Sequence, residues 1–252
     1  MPSPSAVSAY SAAVHAAACV RPAEPLQLDL ALQLLGHAGR ELPPEVLQSP
    51  RGLQALIDAL VEISSRDALT GLANRRSFEL SLAREIDRVA RSGEAALLLT
   101  LDIDHFKRIN DTHGHAAGDD VIRAVAAMLT ETVRPMDLVA RVGGEEFAVI
   151  LPNCSAQFAE KVADRIRTKV QTALISTCTG DTLQTTISIG GAYAPQWVRS
   201  SPLMWTERAD RQLYRAKALG RNRVCLEPSA TSIVSAEEKE LLFSLSPFHD
   251  HE

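Results

Sequence analysis

The stretch AALLLTLDID, Ala95 to Asp104, constrains the fold more than any other part of the chain. Its apolar residues run on almost without alternation, the pattern of a strand buried on both faces, as in α/β folds. Two carboxylates, Asp102 and Asp104, then stand at its carboxyl end, where packing alone gives them no purpose.

Helical patterns surround this strand. Asn74 can cap a helix running through Arg88 and ending at Gly93, and another is expected from about Ala116 to Val133, stopped by Pro135. A third runs from Ser155 to about Leu174, and a last one from about Leu203 to Leu219 ends at Gly220. Leu138 to Val142 and Phe147 to Leu151 read as two strands around a Gly-Gly turn. Leu183 to Tyr193 is one strand of β-branched residues, and Asn222 to Leu226 is a short closing strand. The sum is an α/β domain with a mixed central sheet wrapped by helices, preceded by a short helical N-terminal region.

With 252 residues, 46% of them apolar, the chain can bury one good-sized core and carry short appendages. The division is a flexible tail at 1–25, a helical dimerisation or partner-binding region at 26–65, the main domain at 66–227 and a C-terminal tail at 228–252. Within the helical region, Leu53, Leu56, Ile57, Leu60, Val61 and Ile63 make one apolar stripe. It suits pairing with a second copy or packing on its own domain, and the leucines from Leu26 to Leu35 suit a regulatory protein.

A formal charge of -5 argues against nucleic-acid binding through bulk positive charge, so any phosphate ligand must be met by local cations. Cys19, Cys154, Cys178 and Cys225 are scattered singly and read as the reduced thiols of a cytoplasmic protein. No apolar run approaches the roughly 20 residues of a membrane-spanning helix.

The chemistry gathers at a few points. Asp102 either caps the next helix or holds a divalent cation that offsets its burial. Downstream, RVGGEEF sets Glu145 beside Glu146 in a turn, where each makes the other harder to ionise. Taken alone this is a hairpin with two solvated glutamates. A central strand and a neighbouring hairpin, however, can bring Asp102 and Glu145 or Glu146 to one oxygen-rich point of the kind Mg²⁺ takes with substrate phosphates. Gly143 and Gly144 would then supply tight-turn backbone angles and close approach of a ligand. Asn110 and Asp119 flank a turn kept thin by Gly114 and Gly118, and together could read the N–H groups and O6 of guanine. His113 and His115, without Cys partners, read as loop residues rather than metal ligands. Lys217 and Arg221 lie four apart at the end of the last helix, complementing its dipole or reaching a triphosphate. Arg134 and Asp137, spaced RxxD, read on their own as a surface ion pair.

Five stretches, DALTGLANRR (67–76), DIDHFKRINDTHGHAAGD (102–119), RVGGEEF (141–147), SIGGA (188–192) and ADRQLYRAKALGRNRV (209–224), together resemble the GGDEF family of diguanylate cyclases over roughly residues 65–226. The resemblance implies a fold similar to the polymerase palm and the class III nucleotidyl cyclases. It also implies condensation of two GTP molecules to cyclic di-GMP with loss of two pyrophosphates, performed by a homodimer. Carried over by position, Asp102, the Ile103 carbonyl, Glu145 and Glu146 would hold Mg²⁺ or Mn²⁺, and Glu145 with Glu146 would be catalytic. Phe106, Lys107, Asn110, His115, Asp119, Lys217 and Arg221 would bind substrate. Arg134 and Asp137, separated from Gly143 by five residues, would form an inhibitory site for the product. The alternative it leaves is a catalytically silent domain that senses cyclic di-GMP or GTP.

Overall fold

The computed structural model describes residues 28–37, 39, 42, 49–196 and 200–228. The expectations for residues 1–25 and 229–252 lie outside them. The chain divides into two compact units, one ending at Ser64 and the other beginning at Ser65. In the first, helices α1 (Asp29–His37) and α2 (Pro50–Ser64) pack through Leu35, Leu56 and Ala59. Part of the apolar stripe is therefore consumed within the unit. Ile57 and Val61, one turn apart on α2, remain exposed, as do Leu30 and Leu34 on α1.

The second unit contains α3 (Arg75–Ser92), β1 (Ala96–Ile103), α4 (Phe106–Thr132), β2 (Leu138–Arg141), β3 (Glu146–Pro152) and α5 (Ala156–Thr172). It continues with β4 (Ile175–Ser176), β5 (Thr182–Leu183), β6 (Ile187–Tyr193), α6 (Pro202–Ala218) and β7 (Val224–Leu226). The main sheet has the order β2-β3-β1-β6-β7, with β1 at its centre. Its pairs are antiparallel except β6 with β7, so the sheet is mixed.

Every residue of β1 is buried, as its composition requires. Leu97, Leu99, Leu101 and Ile103 belong to the core containing Val121, Val125 and Leu129 of α4 and Ile166 of α5. Ala96 and Leu98 belong to the other core, with Phe78 and Leu82 of α3 and Trp205 and Ala209 of α6. Each such aliphatic side chain contributes about 1.5–3 kcal/mol of burial. The helix ends follow their capping residues. Asn74 accepts from the Ser77 amide, Ser201 accepts from the Met204 amide ahead of α6, and Gly93 ends α3 in a left-handed conformation. Trp205 pins α6 to the sheet by donating its indole N–H to the Ala192 carbonyl at 2.8 Å.

Two sequence expectations need correction. Leu183 to Tyr193 is not one strand: Leu183 ends a separate hairpin, β4–β5, and β6 begins at Ile187. The break coincides with Thr186, whose hydroxyl turns to the Asp104 carboxylate at 2.6 Å. The helix expected from Ala116 begins ten residues earlier, at Phe106, and crosses Gly114, its one non-helical residue (φ 83°, ψ 164°). Asn110 and Asp119 thus flank a helix kink rather than a loop.

Gly190 on β6 is where α6 comes closest to the sheet: a Cβ there would collide with the Ala209 carbonyl and the Leu213 backbone. At Gly191 the neighbours are the leucine side-chain ends of Leu226 and Leu99, which can move. Gly190→Ala should therefore lower unfolding free energy in urea by about 1–3 kcal/mol, and by more than Gly191→Ala.

Candidate active site

The carboxyl end of β1 and the β2–β3 turn meet at one place. Asp102 lies opposite Glu146 across the β1–β3 ladder, and the Ile103 amide donates to the Glu145 carbonyl at 3.2 Å. The turn closes on itself, with the Val142 and Gly143 amides both donating to the Glu146 carbonyl. Gly143 and Gly144 do not take left-handed angles here, contrary to the expectation from turn geometry. What Gly143 provides is room, since a Cβ would strike the Glu146 carboxylate. Gly144 has open space around it.

Arg141 holds this turn from outside. Its guanidinium donates to the Gly144 carbonyl at 2.9 and 3.2 Å and to the Asp67 carboxylate at 3.1 and 3.2 Å. Asp67 also accepts from the amide and hydroxyl of Thr70. Burial would raise the Asp67 carboxyl, but the hydrogen bonds from Thr70 and Arg141 outweigh it and hold the group below its ordinary value. Neither Asp67 nor Arg141 stood out in the sequence as a functional residue. The spacing Asp-x-x-Thr, a local turn in which the side chain accepts from the backbone, was the available signal.

The two acids at the strand end have different tasks. Asp104 is buried and accepts from the hydroxyls of Thr186 and Ser188, both at 2.6 Å, and from the Asn222 amide at 2.9 Å. It is a structural tie. Asp102, paired with Ser188 across β1 and β6, instead receives Lys217 Nζ on its carboxylate at 2.7 Å. Burial, with the nearby charges of Glu146 and Asp104, raises the Asp102 carboxyl against the pull of Lys217. Glu145 is raised by burial, then by Asp102 and Glu146, with Lys217 opposing. A cavity of about 690 Å³ opens beside this group, lined by Glu146, Lys217, Thr100, Asp210, Arg75 and Tyr214 among others.

The remaining expected residues spread around this centre. Phe106 is buried at the start of α4, whereas Lys107 and His115 on the same helix are exposed. Asn110 and Asp119 sit on opposite sides of the Gly114 kink. Asn110 lies against Gly118, where a Cβ would collide with its Oδ1, and that oxygen is buried without a hydrogen-bond partner. Arg221 is not on a face of α6 with Lys217, because the helix ends at Ala218 and Arg221 stands in the following turn with a left-handed backbone (φ 63°). That turn is held by the Arg221 amide on the Ala216 carbonyl and by the Asn222 amide on Asp104. Arg134 and Asp137 lie apart from these, in the α4–β2 connection. Asp137 is almost fully buried, and its carboxylate accepts from the Arg134 amide at 2.7 Å and more weakly from the guanidinium at 3.4 Å.

Among the described residues no three His, Cys, Asp or Glu side chains converge as a ready metal cluster. The donors present still fit a hard divalent cation. Asp102, Glu145 and the Ile103 carbonyl offer oxygen donors, and Mg²⁺ in phosphoryl sites is commonly held by one or two carboxylates plus substrate phosphates.

Comparison with known proteins agrees with this geometry. The family model described as "Diguanylate cyclase, GGDEF domain" matches residues 64–223. The response regulator PleD of Caulobacter vibrioides is 41% identical over 169 residues, 67% of this chain and 37% of PleD. The coiled coil and GGDEF domain of DgcB from Caulobacter crescentus, solved with c-di-GMP, superposes with a TM-score of 0.67 at 34% identity, covering 79% of this chain and 99% of that one. Diguanylate cyclase SiaD of Pseudomonas aeruginosa, solved in complex with its activator SiaC, gives 0.64 at 33% identity, covering 88% and 83%. The chain spans less than half the length of the curated relatives it matches. It belongs to the GGDEF family, and its domain is homologous to those of diguanylate cyclases. Among the described residues no helix is long and apolar enough to cross a membrane.

The Asp67 brace has a pH signature. A carboxyl lowered on folding adds stability above its unfolded value, near 3.8, and loses it as pH falls through the folded value. Asp67→Asn should cost about 1–2 kcal/mol at neutral pH, with the gap to the parent protein closing below about pH 4, as read from melting temperature against pH.

Proposed function

We propose that this chain is a diguanylate cyclase, joining two GTP molecules into cyclic di-GMP with release of two pyrophosphates. The observation that carries this reading is the meeting of two upward-shifted carboxylates, Asp102 and Glu145, with Lys217 at the end of the central strand. In this reading Asp102, the Ile103 carbonyl, Glu145 and Glu146 hold Mg²⁺, with Mn²⁺ as a substitute. When bound, the cation stabilises charge on the attacking and leaving oxygens. Glu145 also accepts the proton of the 3′-hydroxyl, and Glu146 is the second catalytic carboxylate.

The other residues bind and orient. Lys107, Lys217 and Arg221 offset the charge of the triphosphate, which a chain of net charge -5 must meet locally. Asn110 and Asp119 read guanine, and the unpartnered Oδ1 of Asn110 is a free acceptor for a base N–H. Phe106 and His115 complete the nucleotide's surroundings. Each domain carries one such set, so two copies must face each other across a twofold axis. The exposed Ile57 and Val61 of α2 support pairing with a second copy, and Leu30 and Leu34 suit a regulatory protein. Arg134, half exposed, donates to the Pro152 carbonyl at 3.2 Å and more loosely to Asp137, contacts it would exchange to clasp the product. The reaction belongs to the cytoplasm, where GTP is made, and nucleic acid is not among the partners.

Full-length protein incubated with GTP and Mg²⁺ should yield cyclic di-GMP by mass spectrometry. Glu145→Ala should lower the rate at least about a hundredfold with an unchanged circular-dichroism melt. A verified dimer that binds nucleotide without turnover would place the chain among silent sensors instead. Product inhibition is checked separately: Arg134→Ala should raise the cyclic di-GMP concentration needed for half-inhibition by about tenfold or more, leaving the initial rate unchanged.

A further inference from the structure

The base-reading pair is divided between two helical segments. Asn110 belongs to the first half of α4, residues 106–113, and Asp119 to the second, residues 115–132, with Gly114 between them. Their spacing therefore depends on the angle across Gly114. At Gly114 itself a Cβ would meet nothing within 4 Å, so the angle is set by contacts of the two halves on either side.

The β4–β5 hairpin ties the two halves at the surface, beyond the core contacts of Phe106 and Val121. Its loop, residues 177–181, reaches both halves of α4. Asp181 Oδ2 lies 3.0 Å from His113 Nδ1, on the last residue before the kink. The Cys178 amide donates to Asp120 Oδ2 at 2.7 Å, on the far side of the kink and next to Asp119. The loop is itself stiff enough to transmit a position. The Thr177 amide and hydroxyl both donate to the Asp181 carbonyl, at 2.9 and 3.1 Å, and the Gly180 amide donates to the Thr177 carbonyl at 3.0 Å. Its base is seated in the core through Ile175. A loop braced in this way and bonded to both arms of a hinge fixes the hinge.

The geometry points to the β4–β5 hairpin as the positioning element for base recognition: His113, Asp120 and Asp181 hold the two halves of α4 at the angle that brings Asn110 and Asp119 to one guanine. This rests on the reading of those two residues as the guanine-binding pair. Asn110 pressed against Gly118 shows how little slack the arrangement has, because the contact crosses the kink. These contacts are near the surface, with the His113 and Asp181 side chains 29% and 52% exposed, so their loss leaves the core intact.

The test compares full-length protein with Asp181→Ala, Asp120→Ala and the double variant, measuring kcat and KM for cyclic di-GMP formation. In parallel, Kd for GTP and for ATP is measured by calorimetry, which does not require turnover. Loss of both ties should raise KM and Kd for GTP by about tenfold, roughly the worth of one well-placed hydrogen bond. It should leave Kd for ATP unchanged, so that discrimination shrinks, and should alter kcat by less than about twofold. Glu131→Ala, which removes a 2.7 Å ion pair from Lys169 near the far end of α4, serves as the control and should change none of these. The proposal is overturned if the double variant melts like the parent and keeps its GTP-to-ATP ratio. It is equally overturned if kcat and melting temperature fall together with the ratio unmoved, the mark of a structural role only. A parent protein that binds GTP without turnover would defeat the cyclase reading while the Kd measurements still decide this one. A parent that binds no guanine nucleotide would defeat both.

Discussion

The buried carboxylate of Asp104 is the interaction on which the site depends. It joins three pieces of chain far apart in sequence: the end of β1, the start of β6 through Thr186 and Ser188, and the turn after α6 through the Asn222 amide. Two of its partners are hydroxyls and one is a backbone amide, so its charge is met by hydrogen bonds rather than by a cation. The turn it holds carries Arg221, and the strand end it secures carries Asp102. Remove this tie and the residues that face a nucleotide lose their common reference.

Around that anchor the molecule tolerates electrostatic tension in one small volume. Burial raises both Asp102 and Glu145, Glu146 adds to both and Asp102 adds to Glu145, all against the pull of Lys217. Such a group would relax if its backbone could move. The Asp67–Arg141–Gly144 chain prevents that by gripping the turn from the side away from the carboxylates. A firmly held turn thus keeps like charges together, an arrangement often found where charge must await a ligand.

The sequence made the sheet legible because its central strand is apolar without interruption and its turns carry glycine or capping residues. The association of Asp102 with Glu145 and Glu146 could also be read, since a strand end and an adjacent hairpin have few ways to meet. Other features were hidden for physical reasons. Strands of two residues, as in β4 and β5, carry no periodicity, so the hairpin merged with β6 in the reading of 183–193. The segment 106–113 is too polar and too short to announce a helix, and Gly114 read as part of a thin turn rather than a kink. Arg221 fell at helical spacing from Lys217, yet Gly220 had already ended the helix. The purpose of Gly143 depends on where the Glu146 side chain folds back, which no local pattern encodes.

The pairing of β1 with β3 places Leu101 opposite Phe147 and Asp102 opposite Glu146, with the first pair in the core and Glu146 of the second lining the cavity. Because alternate residues point to opposite faces, a slip of one position would turn a carboxylate into the core that holds Leu101 and Phe147 and take the phenyl ring out of it. The core therefore proofreads the site. A molecule with its acids misplaced is one that has also lost the packing of Leu101 and Phe147, so incorrectly assembled copies are unstable rather than merely inactive.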